Sequence, residues 1–486
     1  MMAGKTDKDL SLLVFSTLDN FGFKKENVTA RFRHSEEMSK KMNCQIESCY
    51  EQSLRMIPAG SFAEGLYLSG SDQDFMFVVK DAVCLDQGSE SEHFIVLETD
   101  YTNTPPGYTK ALYTNIPGTN QHQVSTILSF GICGYKSVAN YPYVSSAKFR
   151  SSCYGIHTMR PMSTKNGIES NIRTTNGPAI TNTVQIGNSC FERDTVYSVY
   201  FYGSDILLKW ANRRRLYNWP SVEIVKEISE MEGYIVPIGD KQSENQNLEW
   251  RICYTTAEIE LVSSLSDIQM KLYVLLKLVA KNVLKPVCKA LTSYVVKNVV
   301  FWIVEGTHPE QLSADNLVSL LLKSLHFIKC CLEENHFPNY MIPERNLLRG
   351  AVVGKEKQNV INFLSDCLRE GGTVMLRVPK LYKCVSYRVT NPENSVFYEK
   401  WRDEVENQRN VIMLQLLDHI DINSWLKPEH LTVTNYKISK DKRILTNKKK
   451  LFLTVVPDCV SLWLTGKSID EISEIYKSRL QARMLL

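Results

Sequence analysis

No stretch of this 486-residue sequence reaches the roughly 18 uninterrupted apolar residues that a membrane-spanning helix needs. The nearest candidate, 317–332, is broken by Lys323, His326 and Lys329. Residues Met1–Asp7 lack the apolar core of a secretory leader. No CxxC pair occurs among the 13 cysteines, which stand singly apart from Cys330-Cys331. Disulfide frameworks belong to small secreted domains, so the expectation is a cytoplasmic protein with reduced thiols and no membrane partner. Charge of one sign is scarce too: 57 Lys and Arg against 53 Asp and Glu leave +4, too little by itself to imply a nucleic-acid partner. Internal repeats and low-complexity segments are missing. So are the G-x-x-x-x-G-K-S/T phosphate loop and the G-x-G-x-x-G strand-to-helix turn. No G-x-S-x-G elbow surrounds Ser61, which removes it as a hydrolase nucleophile.

What is present is an ordinary globular composition, 43% hydrophobic and 23% charged, in a chain long enough for several domains. Residues 8–55 carry apolar side chains at helical spacing (Leu10, Leu13, Leu18, Met38, Met42). From Met56 to about Tyr202 short β-rich runs take over, at Asp74–Val79, His93–Leu97, Val124–Ile132 and Thr195–Tyr202, punctuated by Pro, Gly, Asn and Ser. Beyond Trp210 helical stripes dominate, at 268–283, 295–304 and 317–332, until Gly371-Gly372 interrupts. A further helix is expected near Phe397–Leu417 and a strand at Leu451–Val456. The outline is an α+β chain: 1–210 an N-terminal α/β lobe with a mixed twisted sheet, 211–372 a helical lobe, and 373–486 an addition of uncertain fold.

Chemistry concentrates in Gly60–Phe77. On a strand, side chains alternate faces, so Asp72 and Asp74 project together while Phe75, Phe77 and Val79 go to the other side. Two carboxylates on one face are costly unless a cation neutralises them. Mg²⁺ or Mn²⁺ suits oxygen ligands and leaves positions for substrate phosphates, and two such ions can serve one phosphoryl or nucleotidyl transfer. Gly60-Ser61 complements the acids: glycine lets backbone approach a phosphate, and the serine hydroxyl can donate to its oxygens.

Gly60-Ser61 followed by Asp72-Gln73-Asp74 resembles the nucleotidyltransferase signature of the Mab-twenty-one family, which includes cyclic GMP–AMP synthase. Further segments match that family in order: Asn176–Thr181 leading to Asp194, Asn218-Trp219-Pro220, Tyr234–Gly239, Glu249–Tyr254, Thr292–Lys297 and Pro338–Pro343. The similarity covers roughly residues 8–370. It implies a bilobal nucleotidyltransferase fold and a two-metal site on Asp72, Asp74 and a third acid. Asp194, which opens the β-rich Thr195–Tyr202 run after the Gly177–Thr181 segment, is the choice for that third ligand; Asp205 is the runner-up, because it stands at a helix start, where an acid also favours the helix dipole.

The resemblance also implies a nucleotide site. Tyr294 would stack on a base, unless it only packs its helix, and Arg251 would contact a base edge. Lys277 and Ser293 would touch phosphates, with a surface role for Lys277 as the alternative. Glu258 would contact ligand, or instead serve as the last member of a Thr255–Glu258 capping box. The loop Glu64–Ser71 corresponds to the segment that activation reshapes. ATP and GTP, or other nucleoside triphosphates, are the implied substrates, and a cyclic dinucleotide messenger of innate immunity is the implied product.

One departure bears on the partner. The vertebrate synthase carries a zinc-binding insertion after the strand matched by Trp250–Tyr254, and here there is no room for it. No zinc is expected, His326, Cys330, Cys331 and His336 being the nearest set. This points to an invertebrate-type receptor for double-stranded RNA rather than double-stranded DNA. Candidate contacts are the basic region Lys24, Lys25, Arg31, Arg33, Lys40 and Lys41, the Arg213-Arg214-Arg215 triplet, and Lys148 and Arg150, with two copies assembling on one nucleic acid. A second basic stretch, Lys427–Lys450, holds eight basic residues against two acids. The alternatives are a catalytically inactive binding module of the same fold, and a transferase that adds nucleotides to RNA or protein.

Overall fold

The computed structural model describes residues 6–48, 54–68, 71–86, 88, 95–114, 143–158, 168–186, 189–419 and 441–483. The strand expected at Val124–Ile132 and the Lys427–Lys440 part of the basic stretch lie outside them. Two helices open the chain, α1 (Asp7–Asn20) and α2 (Lys25–Ser48). Thr6 and Asp9 close a reciprocal capping box at the start of α1, which satisfies two backbone donors that a helix start leaves unpaired.

The β-rich region forms one nine-stranded mixed sheet among the described residues. Its strands are β1 (Leu54–Ala59), β2 (Gln73–Leu85), β3 (Ile95–Asp100), β4 (Tyr108–Thr114), β5 (Ile168–Asn176), β6 (Ala179–Ile186), β7 (Ser189–Tyr202), β8 (Gly233–Val236) and β9 (Glu249–Cys253). The mixed character was expected, but the closure was not. β2 pairs with β1 along 74–79, with β3 along 82–85, and with β7 on its other edge. β7 in turn pairs with β6 over its first half and β8 over its second. The strands β2, β3, β4, β9, β8 and β7 therefore return on themselves as a barrel. An irregularity between Val79 and Val83 accompanies the change of partner. Such bulges bend a strand and increase its twist, which lets a sheet curl.

Alternation along β2 holds as expected. Phe75, Phe77 and Val79 enter the main core, whereas Met76 and Val78 enter a smaller cluster with Ile57, Tyr200 and Tyr234. Asp74 shares the parity of that second face and lies at its open end.

After β7 come α5 (Ser204–Ala211) and α6 (Val222–Ser229), α4 (Ser146–Thr158) having preceded β5; α3 is the single turn Gly60–Ala63. The helical region continues with α7 (Thr255–Ser263), α8 (Asp267–Val279), α9 (Ser293–Glu305), α10 (Leu317–Glu333) and α11 (Gly354–Glu370). Gly371-Gly372 do not end the core. Val374, Met375, Val378 and Leu381 join the same buried cluster as α8–α10, and Gly372 lies close against Val318 and Leu10.

Among the described residues the C-terminal region is helical: α12 (Pro379–Thr390), α13 (Pro392–Leu417), α14 (Lys442–Val455), α15 (Cys459–Leu464) and α16 (Ile469–Arg483). The strand expected at Leu451–Val456 is a correction. Those residues end α14, whose start is capped by Asp441, and Ile444, Leu451 and Val455 are buried. A short apolar run is ambiguous by itself; here Leu451 and Val455 pack with Val405 and Ile412 of α13, and that packing selects the helix. Among the described residues no helix is long and apolar enough to cross a membrane.

Candidate functional site

The parallel register of β2 and β7 sets Asp74 opposite Asp194, and Asp72 stands just before β2. Ligand oxygens of Asp72, Asp74 and Asp194 all lie within 4.8 Å of one another. Asp205 is not part of this group; it lies exposed in the first turn of α5. On the far side of β7, Thr181 of β6 is the register partner of Asp194 and donates its hydroxyl to Asp194 Oδ1 at 2.6 Å.

Gathering the acids raises two of them, Asp74 and Asp194. Burial, then the negative charges of Asp72, Asp194 and Glu64, push Asp74 up to about 7, against a smaller opposing pull from Lys297. Burial and Asp72 also raise Asp194, partly offset by the Thr181 hydrogen bond. A divalent cation would relieve this cost, and the donor set is all oxygen, which fits Mg²⁺ or Mn²⁺.

Gly60 follows β1 directly and lies against Asp74, because β1 and β2 put Ala59 opposite that acid. Its φ of +57° is left-handed, and an added Cβ would sit 2.0 Å from Asp74 Oδ2. Both the conformation and the space demand glycine. Ser61, next in the α3 turn, is partly exposed, and its carbonyl accepts from Leu66 N–H at 3.0 Å.

The loop beyond α3 is held from several sides, with Ser69 and Gly70 outside the described residues. Lys277 is 7% exposed and donates to the Leu66 carbonyl at 2.9 Å. It is therefore not a surface lysine: burial brings its ammonium down to about 8, against the pull of Glu64, Asp74 and Asp72. Glu64 is 3% exposed, accepting from Tyr273 Oη at 3.1 Å and Lys297 Nζ at 3.1 Å. Gly65 lies against α2, where a Cβ would meet the Val28 carbonyl at 2.5 Å.

The base-side candidates form a connected patch. Thr292 caps α9, placing exposed Ser293 and half-buried Tyr294 in its first turn. Tyr294 Oη donates to Glu258 Oε1 at 2.9 Å and accepts from Asn339 Nδ2 at 2.9 Å. Arg251, partly exposed on β9, is near enough for its charge to act on the Tyr294 hydroxyl. The Thr255–Glu258 capping box does not form. Tyr254 is the N-cap of α7, without a side-chain bond, and Thr255 is already helical. Glu258 turns inward instead, 2.7 Å from Lys297 Nζ. Glu64, Lys297, Asn339 and Thr181 were not singled out from the sequence. Each nevertheless lay in a segment the sequence had marked: Thr181, Lys297 and Asn339 in the family-matching runs Asn176–Thr181, Thr292–Lys297 and Pro338–Pro343, and Glu64 at the start of the loop Glu64–Ser71.

The basic candidates divide. Lys24 pairs with Glu399, Arg31 with Glu406 (2.9 Å for the Nη2 bond) and Lys41 with Asp418 (2.6 Å), all along α13 and its end. Arg31 is 6% exposed, with Phe23 and Tyr67 against its guanidinium, which corrects its assignment as a nucleic-acid contact. Arg213 and Arg215 likewise reach Glu305, at 2.7 and 3.4 Å, over the rings of Trp302, Tyr340 and Trp210. Lys25, Arg33, Lys40 and Arg214 are exposed; Lys148 and Arg150 are partly so, Arg150 donating to the Gly177 carbonyl at 3.1 Å. Of the thiol set, Cys330 contacts His326 at 3.5 Å, while His336 meets the Pro343 carbonyl at 2.9 Å and Cys331 is buried.

Residues 269–370 match the family model described as "Mab-21 protein HhH/H2TH-like domain". The match supports the Mab-21/cyclic GMP–AMP synthase-like nucleotidyltransferase family. It runs from α8 to the end of α11 and includes Lys277, Ser293, Tyr294 and Lys297, whereas the three acids precede it.

Proposed function

We propose that this chain is a nucleotidyltransferase in a bilobal arrangement, joining two nucleoside triphosphates into a cyclic dinucleotide when double-stranded RNA binds. The observation that carries the reading is the acid triad: Asp72, Asp74 and Asp194 converge within 4.8 Å beside a turn whose glycine leaves no room for a Cβ. Three carboxylates so close are a cost to folding unless a cation joins them, and their retention together favours catalysis over a binding module, which needs no such set except as structural metal ligands. Divalent ions held by these acids would activate an attacking ribose hydroxyl and stabilise the departing pyrophosphate oxygen.

The chain's own groups do the positioning. Gly60 and Ser61 offer a phosphate an uncluttered backbone and a hydroxyl donor. Tyr294 offers a base an aromatic face, and stacking accepts different bases. Arg251 brings planar donors to a purine edge, and Ser293 presents a hydroxyl at the N-terminus of α9. Lys277 neutralises part of the charge behind the triad while holding the loop at Leu66. Such a site works by orientation and electrostatics rather than by covalent chemistry.

For the RNA, the exposed Lys25, Arg33 and Lys40 of α2, together with Arg214, are the contacts. A-form helices are read through backbone and shape, which exposed cations suit. The test is incubation of the chain with four labelled triphosphates and Mg²⁺, alone, with double-stranded RNA or with double-stranded DNA. A phosphatase-resistant product that appears with RNA and vanishes in Asp194→Asn is the expected result. No product under any condition refutes it.

A further inference from the structure

Between the acid triad and Tyr294 lies a buried ammonium that nucleotide transfer, as described, leaves without a task. Lys297 is 7% exposed and sits on α9 one turn after Tyr294. Its Nζ lies 3.1 Å from Glu64 Oε1 and 2.7 Å from Glu258 Oε2. Both carboxylates are buried, at 3% and 5% exposed, and each is engaged a second time. Glu64 accepts from Tyr273 Oη at 3.1 Å, and Glu258 accepts from Tyr294 Oη at 2.9 Å. Asn339 then fixes the Tyr294 hydroxyl from the other side, and Asn298 accepts from the same amide at 3.2 Å.

The chain Glu64–Lys297–Glu258–Tyr294 thus ties three elements that have no sequence proximity. Glu64 is the C-cap of α3, four residues after the glycine that touches Asp74. Glu258 lies in the first turn of α7, and Tyr294 in the first turn of α9. One buried cation between two buried carboxylates is a poor way to stabilise a fold, since apolar residues of similar volume commonly do as well or better. What it does secure is geometry, because each charged bond has a short preferred length and direction.

We propose that Lys297 is a positioning residue of the nucleotide site: its ammonium sets the separation between the Gly60-Ser61 turn and the Glu258–Tyr294 pair. Resting on the nucleotidyltransferase reading above, this means that the triphosphate and the base of one nucleotide are held in a single register by a residue that touches neither. Loosening this tie leaves the Tyr294 ring and the three acids in place but lets the phosphate end drift. A misplacement of about 1 Å costs on the order of 100-fold in rate, with little change in affinity.

Two variants of the full chain separate positioning from simple charge neutralisation. Lys297→Arg keeps the charge and alters the reach. Lys297→Met with Glu64→Gln and Glu258→Gln removes all three charges together, so no buried ion is left unpaired. Each is measured for melting temperature, for binding of a non-hydrolysable ATP analogue in Mn²⁺ by calorimetry, and for single-turnover rate with ATP, GTP and Mg²⁺ in the presence of double-stranded RNA. The expected result is analogue affinity within about threefold of the parent and a rate about 10- to 100-fold lower, for Lys297→Arg at an unchanged melting temperature. Parent-like rates in either variant overturn the proposal, as does a loss of analogue binding equal to the loss of rate. A parent chain that neither binds the analogue nor turns over ATP and GTP overturns the nucleotide-site reading itself, and the proposal with it.

Discussion

Asp74 and Asp194 are register partners across the parallel β2–β7 pair, held within ligand distance of each other although one lies in an early strand and the other far along the chain. Thr181 anchors Asp194 from the neighbouring strand at 2.6 Å, so the separation of the acids is set by backbone pairing and not by flexible side chains.

This gives the stability a pH dependence of definite sign. Asp74 is raised to about 7, above the unfolded carboxylate range near 4. The native state therefore holds a proton that the unfolded chain has lost. Its contribution is full below the unfolded pKa and is lost as pH rises toward 7. Three units correspond to at most about 4 kcal/mol. Thermal melts in chelator should fall across pH 4.5–7.5, and Asp74→Asn should flatten the fall. Mn²⁺ at pH 7.5 should raise the melting temperature of the parent and not of Asp74→Asn.

Gly60→Ala should be damaging out of proportion to one methyl group. The left-handed φ costs about 1–2 kcal/mol for a side-chain-bearing residue, and the new Cβ must also displace the Asp74 carboxylate. A turnover loss of about 100-fold or more is expected, together with weaker Mn²⁺ binding by calorimetry. Ser61→Ala, which leaves the turn intact, should retain parent-like Mn²⁺ affinity.

Tyr294 separates stacking from hydrogen bonding. Tyr294→Phe keeps the ring and loses the bonds to Glu258 and Asn339. Tyr294→Ala also loses a base platform worth about 1–3 kcal/mol. The Ala variant should raise the KM for triphosphates by about 5- to 150-fold, and the Phe variant by much less. Equal effects of the two would place the ring outside the base site.

The two classes of cation on α2 should behave oppositely. Arg33→Glu with Lys40→Glu should weaken RNA binding and lower the salt slope of log K by about one for each lost phosphate contact, leaving the melting temperature unchanged. Glu406→Gln should leave the exposed cations alone and destabilise the chain. Arg31 would then be a buried cation missing its partner, a change that commonly costs about 3–5 kcal/mol; Arg402, 3.0 Å from the same carboxylate, would lose an acceptor as well.

Much of the site was legible without coordinates because its cues are local. The period of two along Asp72–Val79 sorts acids from core residues whatever the sheet does next. A glycine before a serine at a strand end marks a turn that only glycine accommodates. The helical stripes at 268–283, 295–304 and 317–332 likewise follow from spacing, and became α8 with its continuation, α9 and α10. Local cues misled where competing local structures have similar energy. Thr255–Glu258 reads as a capping box, yet Tyr254 caps α7; Leu451–Val456 reads as a strand, yet α13 takes it as a helix.

What the sequence by itself determined was the set of chemical groups and the faces on which they stand, since both follow from residue type and backbone period. The sequence also favoured Asp194 over Asp205 as the third acid, but only the tertiary structure brings it within ligand distance of the other two, because that depends on the register of β7 against β2. It also decided which cations are paired with acids. Lys24, Arg31 and Lys41 look like a binding surface until α13 brings Glu399, Glu406 and Asp418 against them, and electrostatic pairing across several hundred residues leaves no trace in local composition.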